Sequence, residues 1–215
     1  MKEDLILIGG GGHGESIIDT IRGQDKYGIA GIIDSFKKVG SEVQGVKVIG
    51  RDEDLTACFT RGIRHAVIAV GSVGNPGPRR KLYRLCKDIG YEFPNIIDKS
   101  SVLSQTLIMG EGNFIGKGVL INTGVTLGNG TIINTGAILE HGCRIEDFVH
   151  IAPGSVLCGN VQVKANAHIG AHSTILQGVT IGSDTMIGAG SLVIKNISSK
   201  TLAYGSPAKE VGFRE

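Results

Sequence analysis

Tryptophan is absent from the 215 residues, and aromatic side chains make up only 5% of them. A bulky globular core is therefore not what this chain builds; a thin interior filled by small and aliphatic residues suits it better. Cysteine is sparse: Cys58, Cys86, Cys143 and Cys158 lie scattered, with no CxxC pair. That excludes a disulfide framework and points to buried thiols in a reducing cytoplasm. No apolar run approaches the roughly 18 residues of a membrane span, and the N-terminus enters a strand directly, without the pattern of a signal peptide. Charge of one sign is also lacking. Lys and Arg number 22 against 20 Asp and Glu, a net charge of +2, and no basic cluster marks a nucleic-acid groove. No His, Cys or carboxylate spacing marks a metal site either, so no metal is expected.

What is abundant is glycine, at 34 residues, and with it a strict repeat. Every sixth residue from Met109 to Val193 is a large aliphatic, through Ile115, Ile133, Ile151, Ile169 and Ile187, without a skip. Four positions later the residue is small or β-branched in nearly every case, as at Val119, Ala137, Cys143, Ser155, Ala167 and Ser191. Period six fits neither a 3.6-residue helix nor a two-residue strand alternation; it fits a parallel β-helix, one short strand and one corner per hexad. Three hexads close a triangular coil, so residues 18 apart stack, about 4.8 Å per layer. Fifteen aliphatic positions taken three to a coil predict about five coils. The aliphatic residue points inward, and the small residue fills the corner beside it.

Residues 1–98 read differently. Leu5 to Ile8 is a strand, Gly9 to Gly14 a glycine-rich loop, and Ile17, Ile18 and Ile21 form one face of a helix ending near Gly23. Ile29–Ile33 and Val46–Ile49 are further strands. Asp52 is the expected N-cap of a helix over 53–61, and His65–Val70 is the next strand. Leu82, Leu85 and Ile89 form the apolar side of a helix over 78–89, and Phe93–Ile97 is the last strand and the linker. Strands alternating with helices imply a parallel sheet. Gly9, Gly11 and Gly14 match G-x-G-x-x-G between a strand and a helix, with Asp34 twenty residues on. The domain is only half the size of a dinucleotide fold, so the loop reads more generally: backbone N–H groups at a helix N-terminus suit a phosphate or carboxylate.

The hexads resemble the left-handed β-helix of the hexapeptide-repeat acyltransferases, and that resemblance implies the handedness. The whole chain, with its IGGGGHG segment ahead of the hexads, resembles the sialic acid O-acetyltransferase-like family, which includes UDP-4-amino-sugar N-acetyltransferases. The implied fold is α/β plus all-β: a small Rossmann-like βαβ domain over 1–98, then a left-handed parallel β-helix over 99–215. The implied partners are acetyl-CoA as acyl donor and a nucleotide-sugar or sugar acceptor, with no metal. By the same likeness Gly11, Gly12, His13 and Gly14 face the acceptor, His13 as a hydrogen-bonding loop residue. Asp34 lies near its base or ribose, and Gly71 and Asn75 sit in a second loop. His141, in Asn134-Thr135-Gly136-Ala137-Ile138-Leu139-Glu140-His141, aligns with the family's general base. Asn134 matches a polar residue near the acceptor. His150 matches a substrate contact or a structural stack with His168. Gly159 matches the amide that meets the thioester carbonyl, Ala171 and Ala189 match the coenzyme groove, and Gly205 to Lys209 matches the closing tail. A triangular prism alone offers no deep cleft, so a homotrimer with sites between prisms is expected.

One position departs from the family. Relatives often carry a carboxylate directly after the catalytic histidine; here the residue is Gly142. The ring is then oriented by Glu140, Asp147, a backbone carbonyl or a neighbouring chain, and Glu140 ranks low because strand alternation would point it away from His141. The leading reading is an N-acetyltransferase acting on a UDP-amino-sugar of bacterial glycan biosynthesis. The alternatives are an O-acetyltransferase acting on sialic acid or a similar sugar, and a catalytically weak sugar-nucleotide-binding scaffold.

Overall fold

The structure, a computed structural model, describes residues 2–213. The chain divides into two compact units. The first runs to Ser72 and resumes over Gly77–Lys99; the second takes Val73–Pro76 and everything from Ser100 onward. The division after the α/β residues falls between Lys99 and Ser100, and Asn75 groups with the second unit and not with the loop of Gly71.

In the first unit β1 (Glu3–Ile8) leads through the glycine loop into α1 (Gly12–Gln24), then β2 (Tyr27–Ile33), β3 (Glu42–Val43), β4 (Val46–Gly50), α2 (Leu55–Thr60), β5 (His65–Ile68) and α3 (Gly77–Ile89). The sheet order is β3-β4-β2-β1-β5, parallel except for the β3–β4 hairpin. Leu5 to Ile8, Ile32 and Ile33 are essentially fully buried. Burying each such side chain contributes about 1.5–3 kcal/mol.

Three expectations need correction here. A 3₁₀ turn over Asp52–Asp54 precedes α2, and its start is held by Asp54, whose Oδ2 accepts the Arg51 N–H at 2.8 Å, so Asp52 is not the cap. On α3 it is Cys86 that reaches the core, while Leu85 is exposed, because the buried stripe lies one residue further round the helix. Phe93 packs in the core, and the strand after it is only Ile96–Ile97.

In the second unit the hexads form three faces of parallel two-residue strands. Face 1 carries Val102–Leu103, Leu120–Ile121, Ile138–Leu139, Val156–Leu157, Thr174–Ile175 and Leu192–Val193. Face 2 runs from Ile108–Met109 to Thr180–Ile181, and face 3 includes Phe114–Ile115, Ile132–Ile133, His150–Ile151, His168–Ile169 and Met186–Ile187. Each strand pairs with the one 18 residues on, as Ile138 with Val156. Both interior series are buried, from Ile115 to Val193 and from Val119 to Ser191; Met109, in the first coil of its face, is half-exposed. The repeat also reaches further back than Met109, since Leu103 keeps the register. Thr201–Gly205 and Ala208–Phe213 form a closing hairpin that joins face 3.

The corners have one rule. The residue three after each aliphatic is left-handed, from Gly112 to Gly190: glycine at most corners, but Phe148, Asn160, Asn166, His172 and Asp184 at others. Among the described residues no helix is long and apolar enough to cross a membrane.

Candidate active site

His141 stands on the corner between faces 1 and 2, its side chain 58% exposed. The Glu140 carboxylate oxygen Oε2 lies 3.6 Å from His141 Nδ1. This overturns the expectation that Glu140 points away. The strand ends at Leu139, so strict alternation lapses there, and the turning backbone brings both side chains to one side. Glu140 Oε2 also accepts the Asn122 Nδ2 hydrogen bond at 3.0 Å, from one coil earlier.

Gly142 is explained by the same corner. Its φ is +69°, the left-handed slot of the hexad, and a Cβ there would come within 2.3 Å of Asn160 Oδ1. A carboxylate at 142 would need a strained backbone and space already filled, at a cost of about 1–2 kcal/mol for the conformation alone. The carboxylate nearest the ring is Glu140, 3.6 Å from Nδ1.

Gly159 lies one coil after His141, and the imidazole rests over its bare Cα. A Cβ at 159 would stand 2.5 Å from both Cε1 and Nε2. Among the described residues no acceptor takes the Gly159 N–H, whereas the neighbouring Cys158 and Asn160 amides are both used in the coil ladder. One corner therefore collects a carboxylate on Nδ1, an imidazole with Nε2 turned to a glycine, and a backbone donor beside it. Along face 1 next to Glu140 runs a groove of about 440 Å³, lined by Val102, Leu120, Asn122 and Ile138 among others.

The other expected residues are placed elsewhere. His150 and His168 are neighbours on face 3, both buried, their rings 4.7 Å apart and edge to face. Asn134 Nδ2 lies 3.4 Å from His150 Nε2, so this pair forms its own cluster. In one chain His150 is a stacking residue turned away from the His141 corner. Ala171 and Ala189 stack on the corner between faces 3 and 1, not on the Gly159 corner. A single chain brings together His141, Glu140 and Gly159, and leaves Asn134, His150, Ala171 and Ala189 on other edges. Cys143 is interior, its Sγ donating to Cys158 O at 3.2 Å, and burial pushes its thiol up to about 11, so it stays protonated. Among the described residues no cluster could hold a metal ion.

In the first unit Gly9 has φ +106°, and a Cβ there would meet Val70 Cγ2 at 2.7 Å. Gly14 packs as closely on the Gly9 carbonyl, also 2.7 Å. Gly11 and Gly12 are exposed at the start of α1, with nothing near a would-be Cβ, so their smallness leaves the helix N-terminus open to an anion. Asp34 does not reach freely for a ribose: Oδ2 accepts Gly10 N–H at 2.8 Å, and Oδ1 accepts Phe36 and Lys37 N–H at 2.8 and 3.0 Å. Burial would raise its carboxyl, but those N–H groups and the Lys37 charge hold it below the usual range. Its first task is to tie the glycine loop to the end of β2.

His13 is driven down to about 3 by burial and by the Arg79 cation, so the loop presents a neutral imidazole. Gly71 lies beside it, its would-be Cβ 4.0 Å from His13 Cβ. Arg79 went unread in the sequence. It is fully buried and its Nη1 donates to Ile68 O and Val70 O at 2.8 and 2.6 Å, fixing the end of β5 beneath the loop. The only sequence signal was a basic residue on the inward side of an amphipathic helix.

Comparison with known proteins fits this arrangement. Residues 4–86 match the model described as PglD N-terminal domain, and 142–177 and 160–195 match that described as bacterial transferase hexapeptide (six repeats). No curated protein sequence matches. Among solved structures, the H141N variant of perosamine N-acetyltransferase from Caulobacter crescentus, in complex with CoA and GDP-perosamine, is 36% identical over 97% of each chain, with a TM-score of 0.92.

The chain belongs to the hexapeptide-repeat sugar acetyltransferases.

The acetyltransferase domain of PglB from Neisseria gonorrhoeae FA1090, in complex with acetyl coenzyme A, is 29% identical over 98% of this chain and 100% of that one, with a TM-score of 0.89. The three-sided helix of this acetyltransferase is thus the left-handed β-helix of its family, preceded by the small Rossmann-like domain. Glycine at most of the left-handed corner slots, with Asn, Asp, His and Phe at the others, lets that coil close six residues at a time.

Proposed function

We propose that this acetyltransferase moves the acetyl group of acetyl-CoA onto the amino group of a nucleotide-linked amino-sugar, with His141 as general base. The observation that carries the reading is the corner itself: Glu140 on Nδ1 at 3.6 Å, and Nε2 turned toward Gly159. The nearby carboxylate, 3.6 Å from Nδ1, favours a proton on that nitrogen electrostatically, which leaves Nε2 to accept the amine proton as the nitrogen attacks. The Gly159 N–H suits the developing oxyanion. Acetyl-CoA, when bound, supplies the activated thioester; no covalent enzyme intermediate is needed. The open N-terminus of α1, with Gly11, Gly12, His13 and Gly14, would take the acceptor's phosphates.

The perosamine enzyme's complex with CoA and GDP-perosamine supports an amino-sugar on a nucleotide, and that enzyme has been solved as both H141N and H141A variants. It supports GDP as readily as the UDP that the family resemblance implies. Incubation with acetyl-CoA and a panel of GDP- and UDP-linked 4-amino-sugars, with thiol release and product mass as readouts, tests the reading. Acetylation of an amine on a nucleotide-sugar is expected. Turnover only with free sialic acid would move the protein to O-acetylation, and no thiol release with any acceptor, despite nucleotide binding, would leave a binding scaffold.

The working unit of this proposal is a homotrimer. Face 1 presents Val102, Leu120, Ile138, Val156 and Leu192 outward as an apolar stripe beside Glu140, a surface suited to a second prism. Between prisms, the His141 corner of one chain could meet the His150 and Ala171 edges of another. The four free cysteines, three of them buried, fit a cytoplasmic enzyme.

A further inference from the structure

We propose that Asn122 is a positioning residue for acetyl transfer, holding Glu140 so that its carboxylate faces Nδ1 of His141. This rests on the reading of His141 as base and extends it by one residue. Asn122 stands 18 residues before Glu140, at the same corner one coil earlier. Its Nδ2 donates to Glu140 Oε2 at 3.0 Å, and that same oxygen is the one 3.6 Å from His141 Nδ1. Its Oδ1 accepts the Thr123 N–H at 2.7 Å.

These two bonds fix which end of the amide is which. Reversed, the amide would set oxygen against a carboxylate and NH₂ against an N–H donor. Among the described residues, Asn122 and His141 are the partners of the Glu140 carboxylate. Remove the amide, and the long Glu140 side chain has nothing but a 3.6 Å imidazole to keep it in place. The coil below is braced as well: Thr123 Oγ1 pairs with Thr106 Oγ1 at 3.0 Å, and Thr106 with Ser104 Oγ at 3.0 Å. The line Asn122–Glu140–His141–Gly159 thus runs up one edge of the β-helix. Asn122 holds the acid, the acid places negative charge 3.6 Å from Nδ1, and the ring lies over the glycine.

The test is a double-mutant cycle on the full-length enzyme with both substrates saturating. Asn122→Asp is the key variant: it keeps the shape and the acceptor for Thr123 N–H but cannot donate to Glu140. Both Asn122→Asp and Asn122→Ala should lower kcat about 10-fold, with the KM for acetyl-CoA unchanged. In a Glu140→Ala background, Asn122→Ala should cost nothing further. A wild-type kcat for Asn122→Asp, or losses that simply multiply in the double variant, would overturn the proposal. A parallel His141→Ala measurement keeps the two readings apart. If His141→Ala is crippled while both Asn122 variants are normal, only the role of Asn122 falls; if His141→Ala turns over normally, the base assignment falls first.

Discussion

Gly159→Ala separates chemistry from stability more sharply than any other single change. The glycine is not in the left-handed region, so alanine meets no backbone penalty there, and the reduced freedom of the unfolded chain could add about 0.4–1 kcal/mol to stability. The new Cβ, however, would stand 2.5 Å from His141 Cε1 and Nε2. Carbon and nitrogen need about 3.5 Å, so the ring must move by about 1 Å. His141 is exposed and free to swing outward, which keeps the folding cost small. The swing breaks the alignment of Nε2 with the acceptor, and a displacement of about 1 Å at a reacting group can cost about 10²-fold in rate. The assay is thiol release at saturating substrates, beside thermal unfolding. The expected result is a kcat about 100-fold lower with an unchanged or slightly higher Tm. A Gly159→Ala enzyme with wild-type kcat would refute the packing argument. A loss confined to the KM for acetyl-CoA would instead make the glycine part of the coenzyme groove.

Two further predictions follow from burial and from the outward surface. His13 stays neutral when folded, with its pKa near 3, but in the unfolded chain it titrates near 6.5. The unfolded state therefore takes up a proton that the folded state refuses. His13 costs nothing above about pH 6.5 and removes stability as pH falls toward 3, by about 1.4 kcal/mol per pH unit at most. Urea titrations at pH 7.5 and 5.5 should show that loss, and His13→Gln should reduce it; an identical pH slope in the variant would show that His13 carries no part of it. Leu120→Glu, on the outward stripe of face 1, should shift the proposed trimer toward monomers in light scattering and reduce activity with it; an unchanged trimer mass would place the interface elsewhere.

The β-helix was legible because its interior admits so few side chains. A position that must be aliphatic in every hexad leaves a mark that no surface variation can erase, and Ile115 to Val193 carry it. Its start was less legible: Leu103 keeps the register, but the first strands are only partly covered, with Val102 and Ile108 exposed. The proposed site is centred on His141, which the hexad bookkeeping placed at a corner. Its acid was not legible, because two-residue alternation was applied to Glu140, one residue beyond the strand that ends at Leu139. The left-handed slot three residues after each aliphatic explains why position 142 is glycine, and could have been read from Gly118, Gly124, Gly130 and Gly136. Arg79 and Asn122 left only faint marks: a basic residue on the inward side of a helix, and a polar residue one coil before Glu140. Arg79 acts through the Ile68 and Val70 carbonyls, a pairing with no fixed spacing until the sheet is known; Asn122 and Glu140 are 18 apart, the coil period, but nothing in the sequence says which of the stacked polar pairs meet.

The most direct measurement of the account is the single-turnover rate of acetyl transfer by His141→Ala, with both substrates bound at saturation. A fall of about 10²–10⁴-fold is predicted, with the affinities for acetyl-CoA and for the nucleotide-sugar unchanged. A variant that transfers acetyl at the wild-type rate would contradict the assignment of this imidazole, and with it the roles given to Glu140, Gly159 and Asn122.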